Sequence, residues 1–299
     1  MSEVCIEESW PAYVTLSRRD LRSTAALTQW RNLLQTLPEG IGVLVFSGGG
    51  VKFDPWVVAQ YLLENCPRLR VMIAVNPVHR HPAAVADQLR SLVSLYGHRI
   101  DINYVAGGSQ KDLARFGDSL ELSMRWERIV EFDRAVLECL FGRPGRFSGN
   151  YFDFNLGAAS RVLGVPSEMR RFVSGSSTNA QWAAQRMNVG RLEIGLRRRV
   201  AGAQGFNFGM IIRKSLEGAE NALAQRYGDV QAAFDASRYY APGKVLRLYS
   251  IRPPMSDAPI AVGNTESAYE LLRELCRERV TAIMQLSLAP DDYRFLSDT

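Results

Sequence analysis

The side chains best suited to acid–base chemistry are two histidines two positions apart, His79 and His81, in the segment Asn76-Pro77-Val78-His79-Arg80-His81-Pro82. An unperturbed imidazole titrates near pH ~6.5, so either could take or give a proton at neutral pH. Both also read as loop or helix-capping residues. That reading is stronger for His81, because Pro82 suits a first helical turn, where its missing N–H is not needed. The third histidine, His98, precedes a strand and reads as structural. A second candidate is the run Ser174-Gly175-Ser176-Ser177-Thr178 ahead of a helical segment. Such a run either holds an anion on backbone N–H groups and hydroxyls or is an ordinary N-cap. Arg125 and Glu127 open another helix, where a charged pair is usually a solvated one. The chain shows no Ser-His-Asp set, no metal-ligand spacing and no Walker loop. Gly48-Gly49-Gly50 lacks the Lys-Ser/Thr that would follow it in a nucleotide loop.

The elements that must position these residues alternate between strand and helix. Residues 71–75 form an apolar run, residues 83–95 place Val85, Leu89, Leu92 and Val93 on one helical stripe, and residues 100–105 form a second apolar run ending at Ala106-Gly107-Gly108. This is a βαβ unit with parallel strands, and ligands of such folds bind at the carboxyl ends of strands. Upstream lie a strand at 12–16, a helix at 23–37 capped by Ser23 or Thr24, a strand at 41–46 and a helix at 55–65. Downstream come a helix at 123–140, an extended excursion or hairpin at 146–154, a strand at 169–173 and a helix at 179–187. Strands at 192–196 and 208–212, a helix at 216–227, a strand at 245–251, a Pro-rich stretch at 252–259, a helix at 265–278 and a strand at 281–286 complete the pattern. Close to eight strands each lead into a helix. A single (β/α)8 TIM barrel over residues 1–299 is the expected α/β fold, with an open doubly wound sheet as the competitor.

Composition supports one large core: 46% of 299 residues are hydrophobic and 22% charged. The net charge of +5 is spread along the chain, with one cluster at Arg197-Arg198-Arg199 that reads as a solvated surface. Nucleic acid is therefore not an expected partner. The four cysteines, Cys5, Cys66, Cys139 and Cys276, show no paired spacing and read as reduced, mostly buried thiols. No stretch reads as a signal peptide or membrane span, so a cytoplasmic protein without membrane contact is expected.

Several of these segments carry a resemblance. Asp54-Pro55-Trp56 after the second strand, Ala74-Val75-Asn76-Pro77 with His81-Pro82, Asn103-Tyr104-Val105-Ala106-Gly107, Arg125-Trp126-Glu127 with Glu131-Phe132, and residues 147–152 stand in the order and spacing of one family. The chain resembles the luciferase-like flavin-dependent monooxygenases, closest to their alkanesulfonate monooxygenase branch, with shortened insertions.

The resemblance implies a two-component monooxygenase in which a separate flavin reductase supplies reduced FMN, and O2 is used to oxidise a small organic substrate. It implies that Asn76, Asn103 and Ala106 line the flavin ring, with Trp126 where the family usually has Tyr, and that Gly175, Ser176 and Ser177 hold the phosphate. A homodimer through helices after the second and third strands is implied, helped here by Trp56, Val57, Tyr61, Leu62, Leu92 and Tyr96. Departures bear on the chemistry. The family's Cys or His after the second strand has no counterpart in residues 47–53, and an Arg and a His of the sulfonate branch become Asn207 and Gly209. The substrate is therefore not expected to be an alkanesulfonate, and His79 is the best-placed catalytic alternative. Two further readings stay open: a deazaflavin-dependent oxidoreductase of the same fold, which Val75-Asn76-Pro77 also resembles, and a flavin-binding protein without catalysis.

Overall fold

The computed structural model describes residues 12–16, 23–46, 53–107, 110–156, 169–196, 203–228, 230–231, 246–251, 259–286 and 296. They divide into two compact units, one of residues 45–191 and one of residues 1–44 with 192–299.

In the first unit the expected βαβ core is present. Strands β3 (Val71–Val75) and β4 (Ile100–Val105) are parallel, with Ala74 opposite Asn103, and β4 pairs in parallel with β7 (Arg171–Ser174). Every residue of β3 is buried, as a strand covered on both faces requires. Helix α2 (Pro55–Asn65) starts under an Asp54 cap that accepts the Trp56 and Val57 N–H groups. Helix α3 (Pro82–Tyr96) turns Val85, Leu89, Leu92 and Val93 inward, the stripe legible in the sequence. Its cap is His81, whose Nδ1 accepts the Ala83 N–H at 3.3 Å. At the amino ends of the strands the fully buried Asp101 carboxylate receives Arg70 through two guanidinium nitrogens, at 2.6 and 2.8 Å, and the Arg170 N–H at 2.9 Å. This two-pronged pair ties β3, β4 and β7 together at the end away from their ligand-binding termini. Helix α5 (Leu122–Phe141) packs on α3 and on α6 (Thr178–Met187), and β5 (Gly145–Ser148) pairs antiparallel with β6 (Asp153–Leu156) as the expected hairpin. Helix α4 (Gln110–Ala114) was not legible, because five residues carry too little periodicity.

In the second unit β1 (Ala12–Leu16) lies parallel between β2 (Ile41–Val45) and β13 (Thr281–Leu286). Helix α1 (Thr24–Leu34) is capped by Ser23 and is shorter than its pattern suggested. Strand β9 (Gly205–Arg213) pairs in parallel with β8 (Gly190–Ile194), β13 and β12 (Ile260–Asn264). The short β10 (Val230–Gln231) and β11 (Arg247–Ile251) add antiparallel partners beyond β12. Strand β12 was hidden in the sequence by the prolines before it. Helix α7 (Leu216–Tyr227) covers Ile211, Ile260 and Val262, and α8 (Thr265–Arg277) begins with a reciprocal Asn264–Ser267 capping box.

In both units parallel strands alternate with helices, the pattern of a (β/α)8 barrel. Cys66 is buried, Cys139 and Cys276 are partly buried, and all three are free thiols. Among the described residues no helix is long and apolar enough to cross a membrane. Cys5, residues 47–50, Gly108 and the Arg197–Arg199 cluster lie outside the described residues.

Candidate active site

The carboxyl ends of β3, β4 and β7 bring most of the expected residues together within the first unit. Asn76 follows β3 and is buried, its Oδ1 accepting the Val78 N–H at 3.0 Å and so closing the turn that leads to the histidines. Beside it, Gly107 adopts φ +82°, and a β-carbon there would lie 3.0 Å from Asn76 Nδ2 and 2.8 Å from Leu113. Only glycine combines that conformation with that approach. Asn103, 2% exposed, accepts the Ser174 hydroxyl on Oδ1 at 3.0 Å, and Ala106 is buried next to Gly107. Asn76, Asn103, Ala106 and Ser174 all stand at or near the carboxyl ends of β3, β4 and β7.

Trp126 sits on α5 against the β7 exit. A β-carbon on Gly175 would meet the far edge of its indole at 2.8 Å and Ala180 Cβ at 2.7 Å, so the absence of a side chain at Gly175 is what lets the ring lie there. The indole is 5% exposed and its Nε1 is buried with no hydrogen-bond partner. A buried N–H left unpaired costs about 1–3 kcal/mol, and Trp126 shares this condition with other buried groups such as Trp30 Nε1. Gly175, Ser176 and Ser177 lie ahead of α6. Ser177 is the N-cap, its Oγ accepting the Ala180 N–H at 3.2 Å, while Ser176 and Ser177 are both exposed. The capping reading of Ser177 is therefore met. The free end of a ten-residue helix still presents backbone N–H groups and the positive end of its dipole. Arg191 donates to the Gly175 carbonyl at 3.1 Å and holds the segment, a strut without a signal in the residue pattern.

Arg125 departs from the solvated reading. It is buried, and donates to Leu120 O at 2.8 Å, to Gly107 O at 3.4 Å and to Gln110 Oε1. Glu127 stays exposed and accepts the Tyr151 hydroxyl at 3.0 Å. Close by, two-pronged hydrogen bonding from Arg128 holds the Asp118 carboxyl below its ordinary range, with a smaller contribution from Arg125. His79 lies in the loop after β3 with its ring 4.5 Å from that of Phe116. Burial pushes its imidazole below the ordinary value, opposed by the Asp54 carboxylate and reinforced by Arg80. Burial thus favours the neutral imidazole and makes it a weaker base than an exposed one. His81 is a cap packed edge-on against Phe154 at 4.6 Å, and His98 is exposed. A separate groove of about 550 Å³, lined by α5 and α6 side chains such as Glu127, Asp133, Trp182 and Met187, includes none of the strand-end residues. In the second unit, Asn207 and Gly209 carry no charge, and a β-carbon on Gly209 would meet Ile260 at 2.8 Å.

Residues 40–189, half of the chain, match the family model described as luciferase-like monooxygenase. Over 117 residues the chain is 29% identical to the 4-(gamma-L-glutamylamino)butanoyl-[BtrI acyl-carrier protein] monooxygenase BtrO of Niallia circulans. That match takes in 38% of this chain and only about a third, 34%, of the relative. Among solved structures, the monooxygenase RslO1 from Streptomyces bottropensis superposes with a TM-score of 0.69 at 13% identity, over 95% of this chain and 96% of that one. An F420-dependent secondary alcohol dehydrogenase in complex with an F420-acetone adduct gives 0.68 at 14% identity, over 97% and 96%. At such identities the likeness shows the shared barrel fold.

Proposed function

The chain belongs to the luciferase-like monooxygenase family, and from that premise we propose that it is the oxygenase of a two-component flavin-dependent monooxygenase. Reduced FMN from a separate flavin reductase would supply the chemistry that activates O2. The observation that carries the reading is the exit of β7, where Gly175 leaves room for the benzo edge of the buried Trp126 indole just ahead of the α6 N-terminus.

The residues present fit such a cofactor. Backbone N–H groups from Gly175 to Ser177 would take the phosphate, where the helix dipole has the favourable sign. Asn76, Asn103 and Ala106 would floor the ring, and Trp126 would donate to an acceptor of the bound group. His79, neutral at pH 7, would take a proton from the substrate or hold it by a hydrogen bond. The substrate is a small organic molecule other than an alkanesulfonate, since Asn207 and Gly209 offer neither cation nor imidazole.

The likeness to an F420-dependent dehydrogenase supports a second reading, hydride transfer with a deazaflavin coenzyme in the same strand-end site. Oxygen uptake with reduced FMN separates the two, and uptake absent despite tight FMN binding would leave a flavin-binding protein. A homodimer through α2 and α3 belongs to the same proposal, on a reduced patch. Trp56, Leu62 and Leu92 are buried within the chain, leaving Val57 and Leu95 exposed at 63% and 68%, with Tyr61 and Tyr96 partly exposed.

A further inference from the structure

Where α4 hands over to α5, three apolar side chains stand in solvent: Phe116, Leu122 and Met124, exposed at 55%, 50% and 40%. The turn that carries Phe116 is held firmly. The N–H groups of Phe116 and Asp118 donate to Leu113 O at 2.9 and 3.2 Å, and that of Gly117 to Ala114 O at 3.0 Å. Gly117 takes φ +73°, and the buried Asp118 carboxylate receives both Arg128 terminal nitrogens at 2.8 and 2.9 Å. A two-pronged buried ion pair thus fixes a turn whose product is a phenyl ring in water, unfavourable by area alone.

That ring adjoins the strand-end site. Its centroid is 4.5 Å from the His79 imidazole, tilted by 42°. Leu113, one turn earlier, is the side chain for which Gly107 leaves room, and Arg125, next after Met124, donates to the Gly107 carbonyl. The neighbouring cations are engaged: Arg125 points inward, Arg128 binds Asp118, and Arg80 binds Asp54 at 2.8 Å. Lys111 and Arg115 on and after α4 are exposed, where water and salt screen them.

We propose that Phe116, His79, Leu122 and Met124 form the substrate subsite, and that it selects an uncharged aromatic or apolar molecule whose ring stacks on Phe116. The proposal rests on the monooxygenase reading, since it makes the strand ends the reacting centre. It accounts for an apolar rim set beside strand ends where Arg80, Arg125 and Arg128 are each engaged within the chain.

The test is equilibrium dialysis of the full chain against 2-naphthol and, separately, 1-octanesulfonate, with and without saturating FMN. The wild type is expected to bind 2-naphthol at least about tenfold more tightly than the sulfonate, and Phe116→Ala to lose about tenfold in 2-naphthol affinity, the scale of one stacked ring. Phe116→Trp should retain binding and Met124→Ala should fall between. FMN affinity, read by quenching of flavin fluorescence, and the thermal melt should be unchanged in all three variants. Naphthol affinity of Phe116→Ala equal to wild type, equal binding of the sulfonate, or no naphthol binding at all would overturn the subsite. Phe116-dependent naphthol binding in a chain that binds no FMN would sustain the subsite and overturn the flavin reading instead.

Discussion

The Glu131 carboxylate and Gly149 are in contact through a space that admits no side chain: a β-carbon on Gly149 would fall inside the van der Waals envelope of Glu131 Oε1. The same carboxylate accepts the N–H groups of Asn150, Tyr151 and Phe152 at 2.8, 2.8 and 2.7 Å and so clamps the β5–β6 hairpin to α5. Aromatic contacts continue the clamp, from Phe132 to Phe152 at 5.5 Å and from Phe154 to the His81 cap at 4.6 Å. Gly149→Ala should therefore destabilise the protein by about 2–4 kcal/mol, and Glu131→Ala, which orphans three donors, by a similar amount. Glu131→Gln should lose about half as much, because one acceptor oxygen remains. Denaturant midpoints measure all three. A Gly149→Ala midpoint equal to wild type would contradict the clamp.

Ser176→Asp places a negative charge where the phosphate is proposed to sit and should weaken FMN binding by about tenfold or more. Riboflavin, which lacks the phosphate, should bind more weakly than FMN to the wild type and be indifferent to the substitution. Gly175→Ala should weaken FMN as well, by pushing Trp126 and Ala180 away from the backbone. Equal FMN affinity across these proteins would move the phosphate elsewhere.

His79 gives a dependence on pH whose sign follows from its burial. Its folded value lies below the ordinary one, so between the two the unfolded chain binds the proton more readily. Stability should fall as pH drops from about 6.5 through the folded value and be level above that window. His79→Ala should flatten this part of the melting-temperature profile. The same substitution should lower turnover by ~10²–10⁴-fold if the neutral imidazole moves a proton. Wild-type turnover in a variant that still binds FMN would confine His79 to packing against Phe116.

The proposed dimer patch is small enough to be broken by charge. Val57→Lys together with Leu95→Lys should give light-scattering masses of one chain at concentrations where the wild type gives two, with the melt little changed, because both side chains are already exposed. A wild type that stays single under those conditions would remove the dimer.

Strand and helix positions around the site were legible because buried parallel strands leave short apolar runs and α3 leaves a clean stripe. Residues 71–75, 100–105 and 55–65 match the observed β3, β4 and α2 without adjustment. What the sequence could not reveal is which side chains point inward from similar-looking helix starts. Arg125 looked like a solvated charge and is a buried strut, whereas Glu131, two turns on from Met124, turned out to organise the hairpin. His81 was legible as a cap because Pro82 suits a helix start, whereas the run at residues 174–178 read as an anion site or an N-cap without singling out Ser177. Phe116 gave no periodic signal, since a five-residue helix and a glycine turn set its position.

The most direct test of the flavin reading is an anaerobic titration of the protein with reduced FMN and, in parallel, with the reduced deazaflavin coenzyme, followed by admission of O2 to the saturated samples. Reduced FMN is expected to bind at least about tenfold more tightly, with oxygen uptake that depends on the protein and falls in Gly175→Ala. Tighter binding of the deazaflavin, with no protein-dependent oxygen uptake from the FMN sample, would contradict the assignment and make the chain a hydride-transfer enzyme.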